Sequence, residues 1–153
     1  MERSPYRPLI VLTLVSAAAA YALAPLTHAF MSVFMGLALV ALAMLKLFTP
    51  DKFADGFAKY DLLGKHWRPY GYIYPYIELT LGLLYLARLS PVICGVISIT
   101  VFGFGAVGVL IALRKGLNVN CACMGNVLSV PLSTVTLGED FAMIAMALMM
   151  MAV

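Results

Sequence analysis

Between Arg7 and Lys46 the chain runs for 38 residues without one Asp, Glu, Lys or Arg. A single helix of that length would rise to nearly twice the thickness of a bilayer core at about 1.5 Å per residue, so the segment has to fold back once. The break falls at Ala24-Pro25-Leu26-Thr27-His28, because Pro25 is the one proline in the interior of the interval and removes a helical N–H. This predicts helices over about 8–24 and 29–48. The competing reading of the first is a cleaved leader, with Arg3 and Arg7 before an apolar run and Ala22-Leu23-Ala24 as a cleavage-like site. Pro25 directly after that site argues against cutting. Composition agrees with a lipid-solvated chain: 63% of the 153 residues are hydrophobic and 11% charged, where a soluble domain carries about a quarter charged.

From Lys46 to Tyr70 the character changes. Asp51, Lys52, Asp55, Lys59, Asp61, Lys65, His66 and Arg68 make this the strongly charged stretch, while Phe53, Phe57 and Tyr60 recur at helical spacing. That pattern predicts a short helix lying at the membrane surface. Further spans are expected over about 71–88, interrupted by Glu78, and over 90–113, which is free of charge. A polar cysteine-bearing loop at 116–130 follows, and a last span over 133–153 carries Glu139 and Asp140 near its entrance. The expected fold is all-α, a polytopic transmembrane helix bundle of four to five spans plus the interfacial helix, in one domain.

With five spans and a cytoplasmic amino terminus, Arg3, Arg7, Lys46, Lys52, Lys59, Lys65, Arg68, Arg114 and Lys115 fall inside and Arg88 alone outside. Nine against one is a strong positive-inside distribution. It suits a bilayer better than a nucleic acid, and no nucleic-acid partner is expected. It also places the cysteine loop on the inner face of a bacterial-type cell membrane.

Cys121-Ala122-Cys123 is the feature with the most chemical potential. Two thiols one residue apart exchange electrons or bind a soft metal. A disulfide closing so small a ring is strained and therefore easily reduced, which fits a transient redox role. As metal ligands two sulfurs are an incomplete set, so no resident metal site is expected. Arg114 and Lys115 lie near in sequence and would lower the thiol pKa if brought close. Inert turn residues are the bland alternative. Cys94, inside a span, reads as packing.

Glu78 is the one acid deep in an apolar span, which makes it a candidate for an intramembrane polar site. Its expected partners are Lys46 and Arg68, with a structural ion pair between helices as the plain alternative and headgroup-reaching as the plain role of Lys46. His28 and His66 read as interfacial. Met143, Met146 and Met150 share one helical face, where packing is a better account than a copper path. Gly103-Phe104-Gly105-Ala106-Val107-Gly108 matches the spacing of a dinucleotide-binding loop, but it lies in mid-span, where small residues serve close helix approach.

The run Lys46-Leu47-Phe48-Thr49-Pro50 with Phe53 and Tyr60, then Pro75 and Glu78, then Arg114 leading to Cys121-Ala122-Cys123-Met124-Gly125, resembles the methylamine utilisation protein MauE family, among DoxX-like small membrane proteins. The likeness covers roughly 30–150. Ala122 and Met124 depart from that family's usual Cys-Gly-Cys-Phe-Gly, and Glu139-Asp140 stand where a basic residue followed by Asn or Asp is usual. The resemblance implies a helical membrane protein associated with thiol redox chemistry, an accessory to methylamine dehydrogenase maturation. It implies Cys121 and Cys123 as the exchanging pair and a thioredoxin- or glutaredoxin-like partner. Glu78, Lys46 and Arg114 are then expected to shape an interhelical polar site. A quinone is conceivable there, although no quinone motif is visible, and no bound cofactor is expected. The alternative reading is a small transporter or soft-metal handler using the cysteines and the methionines of the last helix.

Overall fold

The computed structural model describes residues 7–23, 28–117 and 134–152. These residues form six helices and no strand: α1 (Arg7–Leu23), α2 (His28–Phe48), α3 (Pro50–Phe57), α4 (Pro69–Leu86), α5 (Pro91–Arg114) and α6 (Thr134–Ala152). The all-α expectation holds. Prolines open three of the helices, at Pro50, Pro69 and Pro91, where the missing N–H is one that the first turn leaves unpaired anyway.

The ends of α4 and α5 close in the same way. After α4, Arg88 N–H donates to Tyr85 O at 3.1 Å and Leu89 N–H to Leu84 O at 3.2 Å. After α5, Gly116 N–H reaches Leu113 O and Leu117 N–H reaches Ala112 O, both at 3.1 Å. Both are Schellman closures with a left-handed residue just past the helix. Glycine fills that place at Gly116 (φ 65°), whereas Arg88 takes it at φ 55° against its side-chain preference.

The bundle is built from two antiparallel pairs, α2 with α4 and α5 with α6, and α1 packs on the outside of α2. The first pair is fixed by glycine. A Cβ on Gly36 would stand 2.8 Å from Gly82 O, and one on Gly82 would stand 2.9 Å from Gly36 O, so the two backbones touch directly. Around that crossing Met35, Leu39, Leu81, Tyr85, Phe102 and Ala147 form the main core. Met143 belongs to this core, with Met146 and Met150 packed against it, and Cys94 is buried in it with Sγ donating to Leu89 O at 3.3 Å. Inside α4, Pro75 lacks the N–H that would have reached Gly71 O.

Away from the charged α3 end, the outer surface of the helices is largely apolar. Ile10, Val11 and Leu14 on α1, Ile93 and Val96 on α5, and Leu148 on α6 are all more than half exposed, a surface that water does not tolerate at this extent. Among the described residues, α2 from Ala29 and α5 are long and apolar enough to cross a membrane, and α1 holds a shorter apolar stretch, Ile10–Leu23. Length and composition alone therefore support two spans, short of the four to five expected. In α4 the apolar run is diluted by Tyr70, Tyr72, Tyr74, Tyr76 and Glu78.

Candidate functional site

Lys46 lies in the last turn of α2, where a cation meets the negative end of the helix dipole. Its Nζ donates to Glu78 Oε2 of α4, and both residues are 2% exposed. Two charges removed from water survive together only when each compensates the other, so the pair is an all-or-none unit between two helices. The ammonium also stands 5.3 Å from the ring centroid of Tyr74 and 5.7 Å from that of Phe53, on the electron-rich faces of both.

The rings come from a local folding pattern. α3 is amphipathic: Phe53, Ala54 and Phe57 are buried, while Asp51 accepts from Tyr72 Oη at 2.7 Å and Asp55 from Arg68 Nη2 at 2.7 Å. Gly71 lets α4 approach the Ala54 backbone, with a Cβ there only 3.0 Å from Ala54 Cα. Phe57 then meets Tyr74 at 4.7 Å and Phe53 at 5.1 Å between ring centroids. The turn after α3 is pinned by Asp61, whose Oδ1 accepts from Leu63 N–H at 2.9 Å and Gly64 N–H at 2.8 Å. Burial raises the Asp61 carboxyl above its usual 3.8, and the two backbone donors pull it partly back. This turn carries Tyr60, whose carbonyl lies against Gly108 of α5 so closely that a Cβ there would stand 2.7 Å away.

Together these elements enclose a cavity of about 40 Å³ lined by Lys46, Glu78, Glu139, Asp140 and the rings of Phe53, Phe57, Tyr60, Tyr74 and Phe102. That is room for a few water-sized groups. Asp140 lies beside Gly105 of α5, its Oδ2 3.7 Å from where a Cβ would stand, which is ordinary contact. One ammonium thus shares a small aromatic-walled chamber with three carboxylates. Such a chamber can hold a polar group inside an otherwise apolar bundle, pass protons, or attract a small cation. Among the described residues no His, Cys, Asp and Glu side chains cluster as a metal site.

Of the residues expected to form a polar site, the structure brings Lys46 and Glu78 together. Arg114 is exposed at the end of α5 and does not line the cavity, and Arg68 pairs with Asp55 instead of Glu78. His66 is exposed, its Nδ1 2.9 Å from Leu62 O. Cys121 and Cys123 lie outside the described residues. Glu139 and Asp140 as cavity walls, and Tyr74 as a partner of Lys46, are additions that sequence reasoning missed. The signal for the acids was present, since two adjacent acids within an apolar helix are costly to expose to lipid.

A family model described as methylamine utilisation protein MauE matches residues 23–153. No curated protein and no solved structure matches the chain.

Proposed function

The chain belongs to the methylamine utilisation protein MauE family, and from that premise we propose that it is a multi-pass membrane accessory of thiol–disulfide exchange in methylamine utilisation. Family membership and the exposed apolar helices make it a membrane protein. Spans beyond the two most apolar helices are supported by helix lengths: α1 with 17 residues, α4 with 18 and α6 with 19 rise about 25–29 Å, close to a hydrocarbon core of about 30 Å, which brings the count to five. The distribution of Lys and Arg supports a cytoplasmic amino terminus.

In this reading Cys121 and Cys123 are the working pair. A thiolate of one attacks a disulfide of a thioredoxin-fold partner and forms a mixed disulfide. The second thiol, losing its proton, then attacks that bond and releases the partner as a dithiol, leaving this chain's pair oxidised. The reverse sequence oxidises the partner. On the inner face the fitting partner is a cytosolic thiol protein of the glutaredoxin kind. Lys46 and Glu78 form its polar intramembrane site.

The observation that carries the proposal is the match over residues 23–153 together with the paired cysteines and closing glycine at Cys121, Cys123 and Gly125. Mixed-disulfide trapping tests it. Cys121→Ser or Cys123→Ser, expressed in the native host with Cys94→Ala, is expected to accumulate a reductant-sensitive adduct with a thioredoxin-fold protein. Folded single variants that yield no adduct in either form would refute the exchange.

A further inference from the structure

Acids and bases at the α3 end of the bundle are disposed differently. Asp51 and Asp55 are engaged by Tyr72 and Arg68, and Asp61 is buried under two backbone N–H groups. Lys59 and Lys65, and Arg114 and Lys115 at the end of α5, are all exposed. The segments that carry these four cations are neighbours, because Ala112 and Leu113 of the last turn of α5 pack into the cluster formed by Phe57 and Tyr60. They make one arc at that end of the bundle, where Asp51, Asp55 and Asp61 accept from Tyr72, Arg68 and backbone N–H groups and not from these cations.

Two apolar features adjoin the arc. Trp67, the single tryptophan of the chain, is 56% exposed in the same turn region, and an indole at a bundle end is at home at headgroup level. Below Arg114 on α5, Leu110 and Val107 are exposed. A free phosphate would use the cations alone, whereas a phospholipid uses the cations, the indole and the apolar flank at once.

We propose that the arc of Lys59, Lys65, Arg114 and Lys115, with Trp67 beside it, is a docking surface for the headgroups of anionic phospholipids in the surrounding leaflet. The inference rests on the reading of the chain as a membrane protein. Cations near a bilayer surface gain from anionic lipid individually and within a Debye length, so the arc enriches such lipids around one end of the bundle and fixes the level at which α3 rides.

The single tryptophan supplies the readout. The full chain is reconstituted in phosphatidylcholine vesicles in which a fixed fraction of lipid is replaced by brominated phosphatidylcholine or brominated phosphatidylglycerol, and Trp67 quenching is compared. The expected result is an apparent preference for the brominated phosphatidylglycerol of about fivefold, falling with added salt. Lys59→Gln/Lys65→Gln/Lys115→Gln abolishes the preference while quenching by brominated phosphatidylcholine is unchanged, which shows that the variant is still folded in the bilayer. Equal quenching by the two lipids in the unaltered chain, or a preference that survives the triple substitution, overturns the proposal. So does its loss to inorganic phosphate at constant ionic strength, which assigns the arc to the free anion. Failure of the membrane reading is separable, since then neither lipid quenches.

Discussion

The two helix pairs of the bundle solve the same packing problem by different means. In α2–α4 the contact is backbone on backbone, at Gly36 and Gly82, and a buried ion pair between Lys46 and Glu78 fixes the register one level away. In α5–α6 a glycine again faces the partner helix, but what fills the space at Gly95 is the thioether end of Met151, and Gly105 is only in ordinary contact with the carboxyl of Asp140. The first pair has no slack, because neither a peptide carbonyl nor a buried charge can step aside. The second can adjust through a methionine and a short acidic side chain. The cavity lies at the junction, with a fixed wall carrying the ammonium and an adjustable wall carrying Glu139 and Asp140.

The sharpest way to break this contrast is to unpair the charge. Lys46→Met is expected to destabilise the protein by about 3–5 kcal/mol, because Glu78 stays buried without its cation. Lys46→Met with Glu78→Leu is expected to recover most of that loss, as read by thermal unfolding in detergent micelles. Losses that simply add would mean that the two groups act independently.

Next in size is the difference between the glycines. Gly82→Leu has to drive apart two backbones and is expected to cost about 2–3 kcal/mol. Gly95→Ala is expected to cost less than about 1 kcal/mol, since Met151 can take another rotamer. Equal costs by the same unfolding measurement would remove the distinction between a rigid and an adjustable pair.

The smaller effect lies at Asp61. Asp61→Ala leaves two buried N–H groups without their acceptor and is expected to cost about 1–3 kcal/mol. Asp61→Asn keeps the acceptor and removes the buried charge. The folded carboxyl titrates above its unfolded 3.8, so the native state binds that proton more tightly. The wild-type stability from this group is present below 3.8 and is lost as pH rises through the folded value. The Asn variant escapes that loss, and its stability relative to wild type should rise from acid to neutral pH. A difference that does not change with pH would place Asp61 in a less buried setting.

Much of this architecture was legible in the residues. Charge gaps and prolines placed the helix boundaries within two residues at α1, α2, α4, α5 and α6, because a proline or a run without charge acts locally. The buried face of α3 could be read from Phe53 and Phe57, although the helix stops at Phe57 and Tyr60 belongs to the turn beyond it. The pairing of Glu78 with Lys46 was legible because an acid in an apolar span needs a cation, and few were available. The role of Glu139 and Asp140 was not, because it depends on which face of α6 meets α5, and that has no signature in a linear pattern. Arg114 was drawn to the site by sequence proximity to the cysteines, but a cation one residue short of a Schellman closure points naturally to water. Hydropathy supports two spans and not the four to five expected, and in α4 the tyrosines, Tyr74 of the cavity wall among them, lower the apolar character.

Thiol accessibility reads the state of the cysteine pair itself. Cys94 is buried and replaceable by Ala, leaving Cys121 and Cys123 as the thiols to be counted. A membrane-impermeant maleimide applied to intact cells and to inverted vesicles, with and without prior reduction, reports both the face and the redox state of the pair. Labelling is expected from the inner face alone, and more of it after reduction. Labelling from the outer face, or labelling indifferent to reductant, would contradict it.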